Sequence, residues 1–227
     1  RFSLPSIKIM NQLLLKREEK KTANRGLVRL AKNLYEVQNL TYQYGSEVVF
    51  NDLSFQIERK SKVLIEGPSG SGKTTLIDLL SGLLQSEKIS YSKDYNELSV
   101  FYLTQNTFLP SGLLADYIDY ENANFEKYIN LLNLESLLLN ENGTPINFFV
   151  KENGSNLSGG EAQRINILKV LCGEYQVLLM DESTSGIDSK TISNIYNYLF
   201  ATDKTIICAS HDMHVKSYFK ESICLTN

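Results

Sequence analysis

The chain has 227 residues, 42% hydrophobic and 22% charged, with 13 Gly, 4 Pro, 3 Cys, no Trp and a formal net charge of −3. That length supports one or two domains with a sizeable core, the composition argues against wholesale disorder, and no stretch approaches the roughly 18 apolar residues of a membrane span or the h-region of a secretory signal. Cys172, Cys208 and Cys224 are odd in number, widely spaced and set among apolar residues, which predicts reduced core thiols in a cytosolic compartment and excludes a disulfide scaffold.

Residues 1–32 hold nine Lys/Arg against Glu18 and Glu19, a net +7, so the remainder carries −10. Such an arm suits nucleic acid, a cytoplasmic segment beside a membrane span, or a solvated tail, and charge alone does not separate these. After Pro5, Ile7, Met10, Leu13 and Leu14 fall at helical spacing, and Lys16–Lys21 followed by Thr22–Gly26 reads as a linker. The chain opens with Arg, which reads as a piece of something longer. From Leu34 the pattern changes to strands at Leu34–Tyr42 and Val48–Ile57 around a Tyr44-Gly45-Ser46 turn, then Lys62–Glu66. A helix follows over Thr74–Leu84. Residues 106–154 read as mostly helical, best at Leu113–Tyr117 and Tyr128–Leu139. Helices at Gly159–Cys172 and Lys190–Leu199 then alternate with strands at Val177–Met180, Thr205–Ala209 and Ser222–Leu225. This alternation predicts an α/β fold with a mainly parallel sheet.

Gly67-Pro68-Ser69-Gly70-Ser71-Gly72-Lys73-Thr74 fits G-x-x-x-x-G-K-[ST] in full, with Thr75 next and a strand and a helix on either side. Glycines let backbone N–H groups turn inward around phosphate oxygens, and the following helix points its positive end at the same anion. Lys73 is suited to the β- and γ-phosphates and Thr74 to Mg²⁺. The apolar strand Val177–Met180 ends in Asp181 and Glu182, where Asp181 is placed to hold the metal through water and Glu182 to polarise an attacking water. A Gly/Ser surface loop and a solvated acidic strand end are the plain alternatives, and they weaken once both motifs occur in one chain.

Asn156-Leu157-Ser158-Gly159-Gly160-Glu161-Ala162-Gln163-Arg164, 24 residues before Asp181 when counted from Leu157, closely resembles the signature motif of ATP-binding cassette (ABC) ATPases. The resemblance runs from about residue 35 to the C-terminus. It implies a P-loop NTPase core with a small antiparallel β-subdomain and a compact helical subdomain at about 106–157, within a nucleotide-binding domain at 33–227. Tyr44 resembles the residue that stacks on adenine, Gln105 the Q-loop glutamine touching Mg²⁺ and a membrane partner, Ser183–Asp188 the D-loop, and His211 the switch histidine at the γ-phosphate. The resemblance also implies head-to-tail dimers holding ATP and Mg²⁺ between the phosphate loop of one copy and Ser158, Gly159 and Gly160 of the other, with Glu182, His211 and Gln105 as the catalytic set.

The spacing from Lys73 to Gln105 is 32 residues and from Gln105 to Ser158 is 53, shorter than in many transporter cassettes, and Gly186-Ile187 departs mildly from the usual D-loop. The stretch from Arg1 to Met10 resembles the exit from the last transmembrane helix of exporters that fuse membrane and ATPase domains. Residues 1–32 are therefore expected to be a juxtamembrane helix and basic linker, and the chain the ATPase domain of an exporter of a lipid-linked, peptide or small amphipathic substrate. The implied partners are a second nucleotide-binding domain and a transmembrane domain of the same chain, at the cytoplasmic face of the membrane, with no nucleic acid. The alternatives are a stand-alone importer subunit, a soluble non-transport cassette ATPase, and a non-catalytic nucleotide sensor.

Overall fold

The computed structural model describes residues 32–92, 94–106 and 108–226. The proposed amphipathic arm and linker before residue 32 lie outside the described residues. Two long strands, β1 (Asn33–Tyr44) and β2 (Glu47–Glu58), pair antiparallel through a Gly45-Ser46 turn. Next come β3 (Lys62–Glu66), helix α1 (Lys73–Ser81), β4 (Ile89–Tyr91) and β5 (Val100–Leu103). A two-stranded ribbon of β6 (Gly112–Leu113) and β7 (Phe149–Val150) flanks the short helices α2 (Phe125–Leu131) and α3 (Glu135–Leu138). The second half is α4 (Gly159–Cys172), β8 (Val177–Asp181), α5 (Ser189–Phe200), β9 (Thr205–Ala209), α6 (Met213–Lys216) and β10 (Glu221–Cys224).

The centre is a five-stranded parallel sheet in the order β10-β3-β9-β8-β5, and the three-stranded sheet β2-β1-β4 is antiparallel. The fold is the expected α/β P-loop architecture. Strands β8 and β9 are buried at every position, which is why they read as unbroken apolar runs. Their side chains alternate between two cores. Leu178, Met180, Ile206 and Cys208 join the core with α4, α5 and the 106–157 region, while Val177, Leu179, Ile207 and Ala209 face α1 and the antiparallel sheet.

Three expectations are corrected. The single helix expected over Tyr128–Leu139 is broken between α2 and α3 at Asn133, which adopts φ 51° and donates through Nδ2 to Thr191 Oγ1 at 2.6 Å. Asn tolerates that left-handed conformation through local hydrogen bonding, and a helix cannot pass through it. Leu113–Tyr117 is not a helix: Leu113 pairs with Phe149 in the ribbon, and only Leu114–Asp116 makes a 3₁₀ turn. Cys172 and Cys208 are core thiols as expected, but Cys224 is exposed, because β10 lies at the edge of the sheet with one side open. Strands β4 and β5 were not anticipated. Among the described residues no helix is long and apolar enough to cross a membrane.

Candidate active site

The phosphate loop lies between β3 and α1, at the carboxyl end of a strand inside the parallel sheet, where ligands of open α/β sheets bind. Lys73 is buried, and its Nζ donates to the carbonyls of Gly67 at 3.0 Å and Pro68 at 2.9 Å. The lysine thus ties the loop from the inside and fixes its curvature. Gly72 has φ +90°, and a Cβ there would lie 2.5 Å from Val49 Cγ1 and 2.8 Å from Phe50 Cε1, so β2 rests directly on the loop. Only glycine meets both demands. Ser71 Oγ is buried with no hydrogen-bond partner among the described residues, the kind of orphan that a bound anion satisfies.

Thr74 lies in the first turn of α1 and donates through Oγ1 to Asp181 Oδ2 at 2.7 Å. Asp181 is 2% exposed. Burial pushes its carboxyl up, the Thr74 hydrogen bond works against that, the negative charges of Glu182 and Asp78 add to it, and Lys73 opposes it. A cation at this carboxylate would reverse the balance. Thr74 and Asp181 therefore fit a hard divalent cation in donor type, as hydroxyl and carboxylate oxygens in contact with each other.

Glu182 follows at the strand end with φ 45°, a left-handed conformation for a side-chain-bearing residue, and its N–H donates to Ala209 O at 2.9 Å. Its carboxylate bridges two loops. Oε2 accepts from Gln105 Nε2 at 3.1 Å, and Oε1 lies 3.0 Å from His211 Nδ1. An ionised carboxylate only accepts, so this hydrogen bond requires a proton on His211 Nδ1. The strained backbone turns the carboxylate away from the strand direction toward these two side chains, an arrangement typical of functional positions. Gln105 follows β5, and His211 follows β9 on an exposed segment, so the ends of three strands converge on Glu182. The structure thus pairs Thr74 with Asp181 and joins Glu182, Gln105 and His211 at the next residue, while Lys73 bonds to the loop carbonyls.

Tyr44 stands at the end of β1, 51% exposed, rather than in the core. The Ser158 segment is built separately. Ser158 caps α4 in a capping box: its N–H and Oγ each donate to Glu161 Oε2 at 2.7 Å, and Glu161 N donates back to Ser158 Oγ at 3.3 Å. No hydrogen bond links Ser158, Gly159 or Gly160 to the phosphate loop within the described residues. Gly160 instead approaches Gly186, where a Cβ would lie 2.9 Å from the Gly186 carbonyl. Gln163 Nε2 donates to Ser185 Oγ at 3.1 Å, and Asp188 caps α5 by accepting from Thr191 N at 3.0 Å. The first turns of α4 and the segment 183–188 are therefore fastened together.

Two contributors were not anticipated from sequence. Asp78 lies one helical turn beyond Thr74 on α1, a spacing that places both on one face, and Tyr102 donates to its Oδ1 at 3.1 Å. Gln163 lies in the quoted motif, four residues after Gly159, yet the link to Ser185 spans 22 residues and depends on tertiary packing.

The ABC transporter family profile matches residues 50–185. The lactococcin-G-processing and transport ATP-binding protein of Lactococcus lactis subsp. lactis is 29% identical over 96% of the chain and 34% of its own length. A probable metal transport system ATP-binding protein of Thermotoga maritima is 31% identical over 83% of the chain and 78% of its own length. The chain spans about a third of the length of several curated relatives that it matches. A bacterial Atm1-family ABC exporter solved with ATP bound superposes with a TM-score of 0.73 at 21% identity, covering 96% of this chain and 42% of that one, a likeness of fold.

Proposed function

The chain belongs to the ABC transporter family as its ATP-binding ATPase domain, and from that premise we propose that it powers export of a peptide or small amphipathic substrate through membrane helices outside the present sequence. The observation that carries the catalytic part is the Glu182 carboxylate held between Gln105 and His211, beside the Thr74–Asp181 pair. The export part is supported by the Lactococcus relative, whose name gives processing and transport of lactococcin G.

In this reading the phosphate loop from Gly67 to Thr75 holds the nucleotide phosphates, with Lys73 exchanging its two carbonyl partners for phosphate oxygens. Tyr44 stacks on the base. Thr74, Asp181 and Gln105 would hold Mg²⁺, which when bound supplies positive charge against the β- and γ-phosphate oxygens. Glu182 orients the attacking water and accepts its proton. His211 keeps that carboxylate aimed and reaches toward the γ-phosphate. Ser158 and the N–H groups of Gly159 and Gly160, at the capped start of α4, serve the site of a second copy. Residues 33–227 serve as the catalytic domain, residues 106–157 form a smaller part of it in which a β-ribbon and two short helices replace the mostly helical region expected, and residues 1–32 link it to a membrane domain.

The Thermotoga relative, covered over 78% of its length, favours a second reading as a separate ATP-binding subunit of a transporter. Sequencing the coding region upstream of Arg1 decides between them. Several apolar spans of roughly 20 residues ending near Arg1 support the fused exporter, and a start codon at that point overturns it. The catalytic reading is tested with Glu182→Gln, which is expected to abolish turnover and trap an ATP-bound dimer in light scattering. Turnover unchanged by the substitution would overturn Glu182 as the water-orienting group, and no turnover in the unsubstituted chain would leave a nucleotide sensor instead.

A further inference from the structure

Tyr44 sits at a hairpin tip with about half of its surface in solvent. A tyrosine ring in that position, left alone, samples several rotamers, and a base that stacks on it must first freeze one. A neighbouring ring restricts that freedom. Two residues earlier in β1, the ring of Tyr42 meets Tyr44 edge to face, with centroids 5.3 Å apart and planes at 87°, the geometry that aromatic quadrupoles favour.

Tyr42 is itself anchored. Its ring is half-buried and packs against the core that contains Phe50, Ile65 and Leu76. In the β1–β2 ladder it pairs with Phe50, and the register slips on both sides of it, between Leu40 and Tyr42 and between Tyr42 and Gln43. Irregularities of this kind re-aim side chains. Phe50 and Val49 in turn cover Gly72 of the phosphate loop. One continuous set of contacts therefore runs from the phosphate loop through Phe50 and Tyr42 to Tyr44.

We propose that Tyr42 is a positioning residue for base recognition, holding the Tyr44 ring ready so that the tyrosine pair, rather than Tyr44 alone, sets the affinity for the nucleotide base. The proposal rests on the reading of Tyr44 as the base-stacking residue. Tyr42 lies two residues from Tyr44 on the same face of β1 and meets the phosphate loop through Phe50. It acts through Tyr44 alone, and its removal costs base affinity while leaving phosphate affinity intact.

The test is a double-mutant cycle by titration calorimetry on the 227-residue chain, with ATP and inorganic tripolyphosphate as probes. Tyr42→Leu is expected to weaken ATP binding about threefold to tenfold, the range of one aromatic pair, and to leave tripolyphosphate binding unchanged. In a Tyr44→Ala background the same substitution is expected to have no further effect on ATP. Tyr42→Phe, which keeps the ring contact, is expected to retain wild-type affinity and guards against misfolding of the leucine variant. Equal weakening of ATP and tripolyphosphate, or equal weakening with and without Tyr44, would make Tyr42 a structural residue and overturn the proposal. Tyr44→Ala with unaltered ATP binding would instead overturn the base-stacking reading beneath it, a separate result in the same data.

Discussion

The contact between β2 and the phosphate loop makes Gly72 and Gly70 an internal comparison. Both have left-handed φ values, +90° and +82°, so an alanine at either costs about 1–2 kcal/mol of backbone strain. Their surroundings differ. A Cβ at Gly70 meets nothing within 4 Å, whereas at Gly72 it lies 2.5 Å from Val49 Cγ1 and 2.8 Å and 2.9 Å from two atoms of the Phe50 ring. Displacing those packed side chains adds about 1–3 kcal/mol. Gly72→Ala should therefore cost roughly 2–5 kcal/mol in total, which for a domain of this size lowers Tm by roughly 5–20 °C. Gly70→Ala should cost only the strain part, about 1–2 kcal/mol. Calorimetric melts of the nucleotide-free chain measure both, and Val49→Ala should recover part of the Gly72→Ala loss by vacating the nearest clash. Equal destabilisation at the two glycines, or no relief from Val49→Ala, would refute the reasoning that β2 seats directly on the loop.

Further outcomes concern charge, thiols and capping. Because Asp181 is held above the ordinary aspartate value, chiefly by burial, the native state binds its proton more tightly than the unfolded chain. Nucleotide-free stability must then fall as pH rises from about 4 through the raised value. Asp181→Asn should raise Tm at neutral pH and flatten that slope while turnover is lost; lower stability, or an unchanged slope, counts against it. Burial pushes the Cys172 and Cys208 thiols up to about 12, so brief alkylation of the native chain should modify Cys224 alone, with all three modified in denaturant. Peptide mapping by mass spectrometry reads this, and early labelling of Cys208 would contradict the packing. Ser158→Ala removes the hydroxyl of the α4 capping box and should cost about 1 kcal/mol in urea unfolding; a loss near zero would mean that Glu161 caps the helix alone.

The motifs of the candidate site are legible in the sequence because each is local. Phosphate-loop spacing, the apolar run into Asp181-Glu182, and Ser158 three residues before Glu161 are all consequences of short stretches meeting a strand end or a helix start. Strands buried on both faces, such as Val177–Asp181, were equally readable as continuous apolar runs. Less legible were elements whose identity depends on a distant partner. The four-residue β5 exists because it pairs with β8, and the Leu113 segment is a ribbon because Phe149 lies across from it. The break at Asn133 depends on Thr191, 58 residues away. Likewise, the chemistry of Glu182 was expected from its position after Asp181, but its left-handed backbone and its bridge between Gln105 and His211 are tertiary facts. Cys224 shows the same limit: an apolar sequence neighbourhood did not reveal that β10 is an edge strand.

The central claim is that the catalytic site is composite, with the phosphate loop and Glu182 from one copy and Ser158-Gly159-Gly160 from another. Complementation measures this most directly. Lys73→Ala disables the phosphate loop, and Gly159→Asp places a negative charge at the α4 terminus at a position where a Cβ has nothing within 4 Å in its own chain. Each variant alone should be inactive in ATP hydrolysis. Mixed in equal amounts, they should regain activity, because one of the two sites in a head-to-tail pair then combines an intact phosphate loop with an intact Ser158 segment. A mixture no more active than the sum of its components would contradict the composite site and place the whole reaction within a single chain.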